Sequence, residues 1–270
     1  MRILHLSDLH FGVEDKTAIA AVTRFVADER PDMVIVSGDL SAVGSAGELE
    51  DACGWLASLG PPVVATPGNH DVPYHEVLPR FRRPFERYVR ASAGRLADGW
   101  RSDDLFVCTV NTARGWQLRP NWALGAISRA QRRAACAALA QAPVHALKVV
   151  VTHHPLLVPP NSPVDGRTSG GKHAAHRMID AGADLMLSGH LHVMQALRIY
   201  GRRGNAVFLI SGTLSCRLRG APAGFLMIER PTPRAIAVTR FNIVAGTVGR
   251  AECDRFDLAP DAGARFSSRT

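Results

Sequence analysis

The chain has no apolar run near the roughly 18 residues that a membrane-spanning helix needs, so no span is expected. No secretory leader is visible either, and removal of the N-terminus would delete Asp8 and His10, which the chemistry below requires. A cytoplasmic location is the expectation. Cysteine is sparse: Cys53, Cys108, Cys136, Cys216 and Cys253 are odd in number, widely scattered and without paired spacing. That pattern excludes a disulfide framework and a zinc ribbon, and leaves thiols in or near the core. There is no internal repeat of fixed period, no linker composition and no block of like charge.

What is present fits a globular chain. Its 270 residues are 46% hydrophobic and 21% charged, within reach of a single α/β unit with a sizeable core. The apolar rhythm fades near the end, which sets a single domain over 1–258 and a tail over 259–270. The net charge of +8, from 32 basic and 24 acidic side chains, suits anions such as phosphate esters, nucleic acid or acidic lipid surfaces. The densest basic group, Arg80, Arg82, Arg83, Arg87 and Arg90, has near-helical spacing and reads as a solvated helix face.

Strand and helix patterns alternate from the start. Residues 2–7 read as a strand, 16–29 as a helix, and 33–36 as a strand apolar on both faces. A helix over 47–59 and a strand over 63–65 follow. The spacing then predicts a helix over 79–92, a strand over 105–110, a helix over 128–140 and a strand over 147–151. A Pro-, Gly- and Ser-rich loop covers 155–171, ahead of a short helix over 172–181 and a strand over 184–188. After residue 193 the segments 195–200, 206–210, 224–229 and 236–243 are β-rich with no helix between them. Antiparallel strands forming a second sheet are expected there. The alternation before them argues for an α/β architecture.

Five early strands end in polar residues able to bind metal or move a proton: Asp8 and His10; Asp39; Asn69, His70 and Asp71; His153; His190 and His192. In open α/β sheets, ligands bind at that edge of the sheet. His190 and His192 sit two apart, and an extended segment would turn both imidazoles to one side. A carboxylate can bridge two cations, and one Asp between an Asp/His pair and an Asn/His pair fits a two-metal site. Mixed nitrogen and oxygen donors suit Mn, Fe, Zn or Co better than Ca or Mg alone. Two such ions about 3.5–4 Å apart would bind a phosphoryl oxygen and lower the pKa of a shared water.

Asp8-Leu9-His10, Gly38-Asp39, Gly68-Asn69-His70-Asp71, His153-His154-Pro155 and Gly189-His190-Leu191-His192 resemble the five signature blocks of the calcineurin-like metallophosphoesterases, in family order. The resemblance implies a four-layer α/β/β/α sandwich of two mixed β-sheets flanked by helices. It implies that Asp8, His10 and His192 hold one metal, that Asn69, His153 and His190 hold the other, and that Asp39 bridges both. His70 would protonate the leaving alkoxide without binding metal, Asp71 would orient that imidazole, and a bridging hydroxide would attack phosphorus in line. The block Gly68-Asn69-His70-Asp71-Val72-Pro73 looks most like bacterial class III cyclic-nucleotide phosphodiesterases and their relatives. The implied activity is a dinuclear-metal-dependent phosphodiesterase acting on a small phosphodiester, a cyclic 3′,5′-nucleotide first.

Substrate choice then falls to the loops over 72–100, 112–126 and 155–172. Arg114, Trp116, Trp122 and Arg167 could there meet a phosphate, stack on a base or simply pack. His154 is expected behind the ligands or facing substrate, His5 in the core, and His75, His173 and His176 on the surface. A nuclease, a broad phosphomonoesterase and a non-catalytic scaffold on the same fold remain alternatives. Every ligand position and His70 are filled, which weighs against the scaffold. A homo-oligomer through the β-rich end is left open.

Overall fold

Strands that are apolar on both faces need cover on both faces. In the computed structural model, which describes residues 1–118, 121–160, 162–202 and 204–258, this requirement sets the layers. The expected tail over 259–270 lies outside the described residues. The chain opens with β1 (Arg2–Leu6), α1 (Lys16–Glu29), β2 (Met33–Val36), α2 (Ala46–Ser58) and β3 (Val63–Ala65). Asp15 caps α1 by accepting from the N–H groups of Thr17 and Ala18, and Ser45 caps α2 by accepting from Glu48 N–H.

The helix expected over 79–92 is instead two short ones, α3 (Val77–Arg82) and α4 (Glu86–Ser92). Pro84 lies in the gap; it lacks an amide donor, and it disfavours helical backbone at Arg83. The register of the basic residues changes with it. Arg80 is buried, donating to the carbonyls of Gly115 and Pro73, and is not part of a solvated face. Next come β4 (Gly99–Arg101), β5 (Leu105–Thr109), β6 (Gly125–Ala126), α5 (Arg129–Gln141), β7 (Leu147–Val151), β8 (Thr168–Ser169), α6 (Gly171–Asp180) and β9 (Leu185–Ser188). A reciprocal Ser128–Gln131 capping box starts α5. The chain ends with β10 (Gln195–Tyr200), β11 (Asn205–Ile210), β12 (Ala223–Thr232), β13 (Ala235–Val244) and β14 (Thr247–Asp257).

Two six-stranded mixed sheets result, ordered β14-β13-β12-β1-β2-β3 and β10-β11-β9-β7-β5-β4. The late strands do not form a sheet of their own, contrary to the expectation. β12 pairs antiparallel with β1, while β11 runs parallel to β9, so each sheet is finished by part of the C-terminal region. No earlier strand can satisfy the free edges of β1 and β9, and the late apolar strands can. β4 and β14 also escaped the pattern reading, being short in one case and largely exposed in the other.

Alternate residues of each strand serve different layers. Ile3, Ile35 and Val64 meet Val107, Val149, Leu187 and Leu209 between the two sheets. Leu4, Leu6, Val34 and Val36 face the opposite way, onto Val22 and Val26 of α1 and Leu49 and Leu56 of α2. Val150, Met186 and Phe208 pack beneath Leu139 of α5 and Met178 of α6. The order is therefore helices, sheet, sheet, helices. Of the thiols, Cys53 alone is buried, and Cys216 and Cys253 are exposed, against the expectation that all lie in or near the core. No helix among the described residues is long and apolar enough to cross a membrane.

Candidate metal centre

The ends of β1, β2, β7 and β9 bring Asp8, Asp39, His153 and His190 to one place, with Asn69 arriving after β3. The backbone turns there at some steric cost. Asp8, His10, Asp39, His190 and His192 all adopt positive φ, between 48° and 67°, the left-handed region that non-glycine residues enter rarely. His190 and His192 are thus not on an extended segment. The His190 ring lies 5.2 Å from that of His153, whereas the His192 ring lies 5.2 Å from that of His10. The two histidines serve different halves of the site.

Glycines let the loops close. A Cβ on Gly189 would stand 1.7 Å from Ser7 Oγ, and one on Gly68 would stand 2.1 Å from Asp39 Oδ1. No larger residue fits either approach.

Main-chain groups hold one atom of most polar side chains and leave another facing inward. Asp8 Oδ2 accepts from Ser7 Oγ (2.6 Å) and from His190 N–H (2.8 Å). Asp8 Oδ1 is buried with no donor aligned on it, while His192 Nε2 stands 3.0 Å away and His10 Nε2 3.7 Å away. Asp39 Oδ1 accepts from His70 N–H (2.8 Å), and Oδ2 lies 3.2 Å from His153 Nε2 and 3.8 Å from His10 Nε2. Backbone carbonyls take the Nδ1 hydrogens: Ser37 from His153 (2.8 Å), Arg217 from His192 (2.5 Å) and Ala42 from His70 (2.7 Å). A proton fixed on Nδ1 leaves the Nε2 lone pair for a cation, as metal-binding histidines require. Asn69 Oδ1 completes the second group, 3.1 Å from His153 Nε2.

Electrostatics favour cations here. Asp8, Asp39 and Asp71 are all buried, and among the described residues the first two form ion pairs only with histidines. Buried carboxylates need compensating positive charge. Burial alone would raise the Asp8 and Asp39 carboxyls, yet neighbouring histidines, His192 and His153 respectively, hold both below the usual range. Burial pushes the His10 and His190 imidazoles down to about 3, leaving them neutral donors. Burial also opposes a proton on His153, but Asp39 outweighs it and lifts that imidazole to about 9.

The donor set therefore fits two divalent ions. Asp8, His10 and His192 form one cluster; Asp39 Oδ2 faces His10 on one side and His153 on the other, as a shared carboxylate would. His154 can be set aside although it clusters with His153 and His190, because both its nitrogens are engaged, Nδ1 with Thr112 Oγ1 (3.0 Å) and Nε2 with the Ala123 carbonyl (2.8 Å). His70 clusters with His10 and Asp39 but is only part-buried, and its Nε2 is not tied to the backbone.

Asp71 sits elsewhere than expected. Its oxygens accept from Gly68 N–H, Ser41 N–H and Ser41 Oγ, so it braces the two loops, and the Ala42 carbonyl orients His70. Burial, with Asp39 nearby, raises the Asp71 carboxyl above its ordinary value against those donors. His5 is fully buried on Ser37 Oγ, while His75 and His173 are exposed and His176 half-buried. Arg114 is spent on Asn111, Ala113 and Gln131, and Arg167 on Asp165.

Sequence reasoning missed Arg217. Its Nη1 lies 3.3 Å from both nitrogens of the His70 ring, and Arg219 Nη1 donates to the His190 carbonyl (2.5 Å). Both follow β11, in a stretch with no motif of its own; Thr213 beside them donates to the Asp8 carbonyl (2.6 Å). A polar run, Thr213-Leu214-Ser215-Cys216-Arg217, immediately after the apolar 206–210 was the available signal.

A family model described as calcineurin-like phosphoesterase matches residues 1–194. A protein of Synechococcus named as a probable cyclic nucleotide phosphodiesterase is 35% identical over 82 residues, 27% of this chain and 32% of that protein. The matched stretch thus spans about a third of that relative's length. Among solved structures, a purple acid phosphatase from yellow lupin seeds superposes with a TM-score of 0.64 at 12% identity, over 95% of this chain and 53% of that one. GAP50, described as the anchor in the inner membrane complex of Plasmodium, gives 0.59 at 14% identity over 96% and 89%. TT1561 of Thermus thermophilus gives 0.54 at 14% identity over 96% and 99%. At such identities these structures speak to the fold alone. The family match covers every loop that carries the metal-binding cluster, and the chain belongs to the calcineurin-like phosphoesterases.

Proposed function

We propose that this chain is a two-metal phosphodiesterase for a small phosphodiester, with a cyclic 3′,5′-nucleotide as the leading substrate. The observation that carries the reading is Asp39 Oδ2 facing His10 on one side and His153 on the other, inside a cluster otherwise supplied by Asp8, Asn69, His190 and His192. The similarity to the Synechococcus protein, named for cyclic nucleotides, favours the substrate. Asp8, His10 and His192 would hold one cation and Asn69, His153 and His190 the other, with Asp39 shared. Bound there, the ions would polarise a phosphoryl oxygen and make water a nucleophile at neutral pH.

The chain's own groups do the rest. With Nδ1 donating to Ala42, His70 keeps Nε2 as the atom that passes a proton to the leaving oxygen. Arg217 holds fixed positive charge over that ring and favours an anion in front of it. Asp71 acts at a distance, by holding the Ser41 and Gly68 loops that present Asp39 and Asn69.

The test is a substrate panel on protein reconstituted with Mn2+, Fe2+, Zn2+ or Co2+: cyclic nucleotides, linear diesters, monoesters and single-stranded DNA. Cyclic nucleotides should give the highest kcat/KM. Preference for monoesters, or for DNA with steep salt dependence, would replace this reading with one of the alternatives.

A further inference from the structure

Beside His70 and Asn69 opens a cavity of about 510 Å3, walled by Tyr74, Arg80, Trp122 and Ala123 and edged by Asn121. That volume suits a ligand fragment larger than a phosphate alone. Its walls are unusual for a surface. Tyr74 is 60% exposed and Trp122 37% exposed, while Arg80, on α3 and bonded to the Gly115 carbonyl, is only 5% exposed. The Arg80 guanidinium lies 5.2 Å from the Trp122 ring centre and 6.0 Å from that of Tyr74. Phe81 meets Trp122 at 6.3 Å, near-perpendicular, and holds it from another side.

Arg80 is not a phosphate anchor. Nε donates to the Gly115 carbonyl and Nη1 to the Pro73 carbonyl, so its charge acts on the rings. Arg114 and Arg167 are engaged by their own loops, and Arg217 stands against His70 without lining this cavity. What faces the cavity is aromatic surface backed by a cation, next to the metal cluster. Aliphatic cover would have served an alkyl group equally well. Two π-faces held in place at low entropic cost favour a flat π-system.

We infer that Tyr74 and Trp122, positioned by Arg80, form the subsite for a planar aromatic ring, a nucleobase, carried by the phosphoester. The inference builds on the phosphodiesterase reading and assigns base recognition to residues outside the metal cluster.

Binding separates the two claims, because it needs no turnover. AMP and ribose 5-phosphate share the sugar phosphate and differ in the base. On protein supplied with Mn2+, titration calorimetry should show AMP binding about tenfold tighter or more, the scale of one stacked base. Trp122→Ala and Tyr74→Ala should each remove most of that preference, Trp122→Phe should keep it within about threefold, and Trp100→Ala, on β4, should leave it intact. Equal affinity for the two probes in the wild type, or a preference that survives Trp122→Ala, overturns the inference. A base preference with no hydrolysis of any diester would keep the subsite and discard the phosphodiesterase. Diester hydrolysis with no base preference would do the reverse.

Discussion

The loops carrying Asp8, Asp39, His153 and His190 reach their functional residue within two or three positions of a strand end, whereas Tyr74 lies in the long connection from β3 to β4, and Trp116 and Trp122 in that from β5 to β6. In the first set, backbone N–H and carbonyl groups pin the side chains, and left-handed φ values fix the direction of Asp8, Asp39 and His190. In the second, Tyr74, Trp116 and Trp122 project into solvent and are held by other side chains. The difference separates two kinds of specification. The side chains that would hold metal are fixed by the main chain at the ends of two sheets, which leaves them little room to change. On the proposed reading, substrate choice would fall to side chains on a rim that can vary without disturbing the sheets.

Variants of the metal-bearing loops should therefore act first on metal content and stability. Asp39→Ala should have the largest effect: loss of at least one metal per chain by elemental analysis and a fall in activity of about 10³-fold or more, since both ions would share that carboxylate. Two metals retained would remove Asp39 from the bridge. His70→Ala should keep both metals and lower turnover about 10²–10⁴-fold on esters with poor leaving groups. Loss of a metal instead would make His70 a ligand. Arg217→Ala should cost less, about tenfold to a hundredfold in kcat/KM, the worth of one hydrogen bond to a charged group.

The smallest effects expected are on stability. Gly189→Ala must displace Ser7 or Asp8, an overpacking cost of about 1–3 kcal/mol that calorimetry would read as a Tm lower by about 2–10 °C. Trp116→Ala, on the rim, should leave Tm within about 1 °C, as surface substitutions generally do. A rim variant that melted earlier than Gly189→Ala would erase the distinction drawn between the two sets of loops.

The central strands were legible because double-sided burial leaves an unbroken apolar run, as in Met33–Val36, and the polar residue that follows marks the edge where ligands gather. Histidines and aspartates at five such edges are hard to miss. The sheet partners of the last strands were not legible. Periodicity says that Ala223–Thr232 is extended, but only the free edge of β1, some 220 residues earlier, decides where it pairs. The His190–His192 pair was recognised for an incorrect reason, because an extended segment and two left-handed residues both satisfy the same sequence spacing. Arg80 was misplaced because Pro84 resets the helix phase, and Arg217 was overlooked because its role depends on a tertiary contact with His70.

The position of β1, flanked by β2 on one side and β12 on the other, carries a kinetic consequence. Arg2–Leu6 is made some 220 residues before its β12 partners, Leu226 to Glu229, so one of its hydrogen-bonded edges stays bare until they follow. Long-range pairing of this kind slows folding and exposes unpaired strand to aggregation meanwhile. The Asp8 carbonyl accepts from Thr213 Oγ1, 205 positions further along the chain, so the loop that would hold a cation is complete only after β11 has been made.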